Sequence, residues 1–135
     1  MHLIDTSTLI SLLTDGEKAD WAQKTLDEAR PVGGVFINQI IFSEICALFE
    51  SEHEVNALLD GVVDLVELNW PCAFPAGKAY RLYKSRGGKK ERMLPDFLIA
   101  AHAASLGWTL VTNNPADVRH YFPKLKIIHP HVKRA

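Results

Sequence analysis

Five short apolar runs, at residues 3–4, 35–37, 65–68, 108–111 and 127–128, alternate with longer segments whose apolar residues recur at helical spacing. No other feature constrains the fold as much. Strands separated by helices pair in parallel through crossovers rather than as hairpins, which predicts an α/β chain: a three-layer α/β/α sandwich around a central, mostly parallel sheet. At 135 residues and 47% hydrophobic composition, a single domain over residues 1–135 can bury a core without staples.

The spacing predicts helices over residues 6–13, 17–30, 39–50, 53–62, 76–86, 96–106 and 115–120. Their ends carry matching chemistry. Asp5, Thr6 or Ser7 can cap the first and Asn38 the third, Pro95 suits a first helical residue, and Gly87-Gly88 and Gly107 are stops. In such folds ligands sit beyond the carboxyl ends of the strands, where Asp5 and the 112–117 stretch fall.

Several function classes are disfavoured at once. Cys46 and Cys72 form no CxxC pair or disulfide framework, and no apolar run approaches the roughly 20 residues of a membrane span. A cytoplasmic protein without signal peptide or membrane partner is therefore expected. The formal net charge of −1 argues against nucleic-acid binding by bulk electrostatics, though not against a local basic strip. The six histidines show no paired ligand spacing apart from the tail pair His129 and His131, so no catalytic role is assigned to them.

The isolated acids carry the chemical signal. Asp5, directly after the first strand, serves equally as a helix cap or as a metal ligand, because both uses place a carboxylate in front of a helix N-terminus. Glu44 lies in a stripe with Ile40, Ile41, Ala47 and Leu48, so an inward-facing carboxylate there needs a partner or a metal; the alternative is an edge position open to water. Asp96 complements a helix dipole, yet its face continues through Ile99, Ala100 and Ala103, which turns it toward the fold. Asn114 and Asp117 are alternative fourth contributors, with turn formation around Pro115 as the plainer reading.

Such carboxylates cannot stay ionised together without a cation, and Mg²⁺ or Mn²⁺ on oxygen ligands suits phosphodiester hydrolysis. A polyanionic substrate agrees with a second feature. Seven of the 15 Lys and Arg residues fall between Ala76 and Leu94, namely Lys78, Arg81, Lys84, Arg86, Lys89, Lys90 and Arg92, with Glu91 the only acid among them. The latter six are candidates for RNA contact, against the plainer reading of a solvated helix end.

The combination of MHLIDTSTLISLL, Glu44 in an apolar helix, LPDFLIAAHAASLGWTLVTNN and YFPKLKIIHP resembles a PIN-domain ribonuclease, and more narrowly the VapC toxins of type II toxin-antitoxin pairs. The likeness runs over essentially the whole length. It implies an Mg²⁺- or Mn²⁺-dependent endoribonuclease acting on structured RNA such as tRNA or rRNA, a homodimer, and a cognate VapB-like antitoxin through which alone DNA is bound. Asp5, Glu44 and Asp96 match the acidic triad, Thr6, Ser7 and Thr112 the supporting polar positions, and Asn114 stands where many members carry a fourth Asp.

That departure leaves Asp117 as the charged substitute and leaves one or two ions open. An antitoxin is expected to lay an apolar helix near the first helices and set an Arg against the acids. A receiver domain would need paired acids after the first strand and a late Lys, and a haloacid-type phosphatase a second Asp where Ser7 stands. The alternative from another class is a catalytically weak PIN-fold module that binds RNA or acts as a co-repressor through its partner protein.

Overall fold

A computed structural model describes residues 1–90 and 93–130; Arg92 and His131 lie outside them. Five strands, β1 (His2–Ile4), β2 (Val35–Ile37), β3 (Asp64–Leu65), β4 (Thr109–Val111) and β5 (Ile127–Ile128), form one sheet in the order β3-β2-β1-β4-β5. Every neighbouring pair is parallel. Among the described residues seven α-helices surround it: α1 (Thr6–Leu13), α2 (Ala19–Ala29), α3 (Gln39–Cys46), α4 (Glu52–Leu59), α5 (Ala73–Ser85), α6 (Met93–Leu106) and α7 (Ala116–Tyr121). None of them is long and apolar enough to cross a membrane.

The expected α/β/α architecture is present, and the element ends differ for local reasons. The predicted 39–50 helix stops at Cys46 because Leu48 and Phe49 donate to carbonyls three residues back, and Ser51 accepts from Glu54 N to begin α4. The predicted strand 65–68 is shorter, since Leu68 N donates to the Gln39 side chain at 2.7 Å rather than to a strand. Both α5 and α6 begin earlier than predicted. Pro75 and Pro95 each sit third in their helix, within the first turn, where a missing N–H removes no intrahelical bond.

The order of strands creates the site. The chain builds outward from β1 through β2 to β3, then returns to β1's other side with β4 and β5, leaving a crevice between β1 and β4. Ile4 is in register with Val111, so Asp5 and Thr112 leave the sheet side by side. Leu3, Ile4, Leu9, Ile37, Ile41, Ile99 and Leu110 bury the centre of the main core.

A second cluster joins α5 to α6, where Cys72, Ala76, Tyr83, Met93 and Phe97 are buried. The Tyr83 ring meets Phe97 and Tyr121 edge-on at 5.9 and 6.3 Å between centroids. The chain then folds back over that ring. Gly87, at φ 82°, ends α5, Gly88 N donates to Tyr83 O, and Lys90 N donates to the Tyr83 hydroxyl at 2.9 Å.

A Cβ on Gly88 would stand 2.4 Å from the Tyr83 ring, which its aromatic neighbours hold in place. Gly88→Ala is therefore expected to cost about 1–3 kcal/mol, the scale of overpacking. Chemical denaturation checks this, with Gly77→Ala as the control because nothing lies within 4 Å of that position; equal midpoints for the two variants would contradict the packing argument.

Candidate active site

Asp5 ends β1 and caps α1, so the two sequence readings of this residue describe one geometry. Its Oδ1 accepts from Thr6 N at 2.8 Å, and its Oδ2 accepts from Thr112 Oγ1 at 2.6 Å and Ser7 Oγ at 3.2 Å. The two hydroxyls are themselves held. Ser7 Oγ accepts from Asn113 N and Thr112 Oγ1 from Asn114 N, so the turn after β4 orients the side chains that orient Asp5.

Glu44, half-buried on α3, finds the partner its surroundings demand: Thr6 Oγ1 donates to Oε1 at 2.6 Å. Asp96, in the first turn of α6, has no hydrogen bond to its carboxylate among the described residues. With Thr6, Ser7, Asn114 and Asp117, these three acids line one open cavity of about 510 Å³, floored by Ile10, Ile99, Leu110 and Val118.

The electrostatics record how the acids crowd. Burial, then the Asp5 and Glu44 carboxylates, push the Asp96 carboxyl up to about 7; Lys90 opposes this and Asp117 adds to it. Burial also raises Asp5, against its three hydrogen bonds. All donors are hard oxygens, which fits a divalent cation that keeps much of its hydration shell on one or two carboxylates. Among the described residues no three His, Cys, Asp or Glu side chains form a ready-made cage.

The predicted RNA-binding cations separate into groups. Lys90 stands at the cavity rim, its Nζ 3.1 Å from Asp117 Oδ2. Arg86 turns onto α7, where it meets His120 Nε2 at 3.0 Å and the Tyr121 ring. Arg81, Lys84 and Lys89 are exposed. The structure also assigns work to Asn113, which no sequence signature distinguishes from Asn114: its amide donates to Ser7 O and Ser11 Oγ, fastening α1 to the turn after β4.

Comparison with known proteins agrees with this architecture. The PIN domain matches residues 2–121. The chain belongs to the PIN domain family. No curated protein sequence matches it. Among solved structures, this PIN domain is similar to VapBC2 from Rickettsia felis bound to a DNA fragment from its promoter, at TM-score 0.75 and 19% identity, covering 96% of this chain and 98% of that one.

It is also similar to VapBC-1 from nontypeable Haemophilus influenzae, at TM-score 0.73 and 19% identity over 95% and 96% of the two chains. DNA-bound VapBC from Salmonella typhimurium gives 0.71 and 21%, again over 95% and 96%. At such identities the likeness is one of fold.

The raised Asp96 carboxyl sets a direction for stability. A carboxyl that binds its proton more tightly folded than unfolded stabilises the protein at low pH, and this contribution is lost as pH rises from 3.8 through about 7. Asp96→Asn removes the effect. The metal-free wild type is therefore expected to lose thermal midpoint relative to Asp96→Asn as pH rises from about 5 to about 8; parallel curves would show that Asp96 is not strained by its neighbours.

Proposed function

We propose that this PIN domain is a divalent-metal-dependent endoribonuclease and the toxin member of a VapBC-type pair. One observation carries the reading: Asp5, Glu44 and Asp96 line a single cavity at the switch point of the sheet, where burial and then the Asp5 and Glu44 charges hold Asp96 at about 7. Asp5, Asp96 and Glu44 would hold Mg²⁺ or Mn²⁺, as one ion or two. When bound, the metal supplies positive charge that acidifies a water and offsets charge developing on the phosphate.

The chain's own residues do the positioning. Thr112, Ser7 and the Thr6 amide fix the orientation of the Asp5 oxygens, and Thr6 holds Glu44 toward the same cavity. Asn114 offers a neutral oxygen at the fourth corner, and Asp117 a charge that Lys90 holds at the rim. Lys84, Lys89 and Lys90 lead an RNA backbone toward the acids, with Arg81 further along α5. tRNA or rRNA is the proposed substrate class.

The partners follow from the same reading. A VapB-like antitoxin is the proposed partner, supported by structural neighbours that are VapBC proteins; DNA would be bound through it alone, and a cationic side chain from it would occupy the crowded acids. Trp70 and Phe74, 90% and 76% exposed, support a homodimer, since large aromatics are rarely left to water. The working compartment is the cytoplasm.

Incubation of the purified protein with total RNA, with Mg²⁺ and with a chelator, tests the reading. Cleavage is expected only with metal, and Asp5→Asn and Asp96→Asn are each expected to reduce it about 100-fold or more, the scale of a lost electrostatic stabiliser. Cleavage that survives both substitutions would refute the mechanism. RNA binding without metal-dependent cleavage would identify a binding module instead.

A further inference from the structure

Asn38 and His102 are buried, 2% and 0% exposed, and neither belongs to the cavity. Asn38 Nδ2 lies 2.9 Å from His102 Nδ1. Among the described residues this is the only side chain to side chain hydrogen bond with both partners in the interior. It joins the N-cap of α3 to the middle of α6, the two helices that carry Glu44 and Asp96.

The polarity of the contact is fixed by its surroundings. Asn38 Oδ1 accepts from Ile41 N at 3.1 Å as the cap of α3, so the amide cannot be turned around without setting two donors against each other. Nδ2 must then face the ring as a donor, His102 Nδ1 must accept, and the ring proton sits on Nε2. His102 is thereby held in one neutral tautomer.

A neutral hydrogen bond of this kind adds little net stability, and an apolar pair of similar shape would pack the helices as well. Apolar packing, however, tolerates sliding, whereas a directional bond at one point of each helix fixes their register. Glu44 lies six residues beyond Asn38 on α3 and Asp96 six residues before His102 on α6, each about 9 Å along a continuous helix. Glu44 is also tied to Thr6, but among the described residues no hydrogen bond holds the Asp96 carboxylate, so its place depends on where α6 lies.

We propose that the buried Asn38–His102 hydrogen bond is a positioning device that sets Asp96 against Glu44 by locking the register of α6 on α3. The proposal rests on the nuclease reading for its consequence but not for its geometry. His102→Leu keeps the volume and removes the acceptor. His102→Asn places an amide oxygen where Nδ1 stood and keeps an acceptor for the Asn38 amide. Leu26→Ala lowers stability through α2, which packs chiefly on α1 and carries none of the acids.

Crystal structures of the metal-free variants read the device directly, and Mn²⁺ binding followed by electron paramagnetic resonance reads its consequence. Asp96 is expected to shift from Glu44 by about 1 Å in His102→Leu, a misplacement large enough to lower Mn²⁺ affinity about tenfold and cleavage by up to about 100-fold. His102→Asn is expected to restore both, and Leu26→Ala to leave Mn²⁺ affinity unchanged despite a lower thermal midpoint. An undisplaced Asp96 in His102→Leu overturns the proposal whatever the metal data show. Undiminished Mn²⁺ binding by Asp96→Asn overturns the nuclease reading instead, and leaves the displacement to decide the device.

Discussion

The hydrogen bond from Thr112 Oγ1 to Asp5 Oδ2 is the contact on which the rest of the site depends. It closes across the seam between β1 and β4, two strands more than one hundred residues apart in the chain and paired residue for residue up to Ile4 and Val111. Because both chains leave the sheet at that level, a carboxylate and a hydroxyl meet with no side chain reaching for the other. Ser7 and the Thr6 amide complete the donors around the Asp5 carboxylate. Thr6 passes the organisation on to Glu44, and Asn113 and Asn114 support the hydroxyls from behind.

The acids are held by unlike means. Asp5 is surrounded by donors, Glu44 has one short hydroxyl contact, and Asp96 depends on the placement of a helix. A fully hydrogen-bonded triad would be quieter electrostatically but would offer a cation fewer free lone pairs. One carboxylate is left raised by burial and by its neighbours, and the packing of α6 carries that cost. Asn38, which caps α3 and grips α6 with the same amide, shows how a local helix signal can acquire a second task in the folded chain.

Most of the architecture was legible in the sequence, for physical reasons. Short β-rich apolar runs between helical repeats admit a parallel sheet and little else, and the 6–13 and 127–128 elements fall where the pattern places them. Where elements differ, local turns and caps end a helix early, as after Cys46, or a distant side chain takes the backbone, as Gln39 does for Leu68. Asp5, Glu44 and Asp96 were recognisable because acids are costly on apolar faces or stand at strand and helix ends. Asn113, the Lys90–Asp117 pair and the pairing of His102 had no local signature, since each depends on a partner remote in sequence.

The sequence by itself determined the class of fold, the elements that carry the acids and the family resemblance, because hydrophobic periodicity and capping chemistry act over a few residues. Tertiary structure alone decided that the acids share one cavity, which of them is strained, and which cations reach the rim rather than packing elsewhere. Those outcomes depend on strand order, register and helix placement, and these are set only when segments distant in the chain bury their faces against one another.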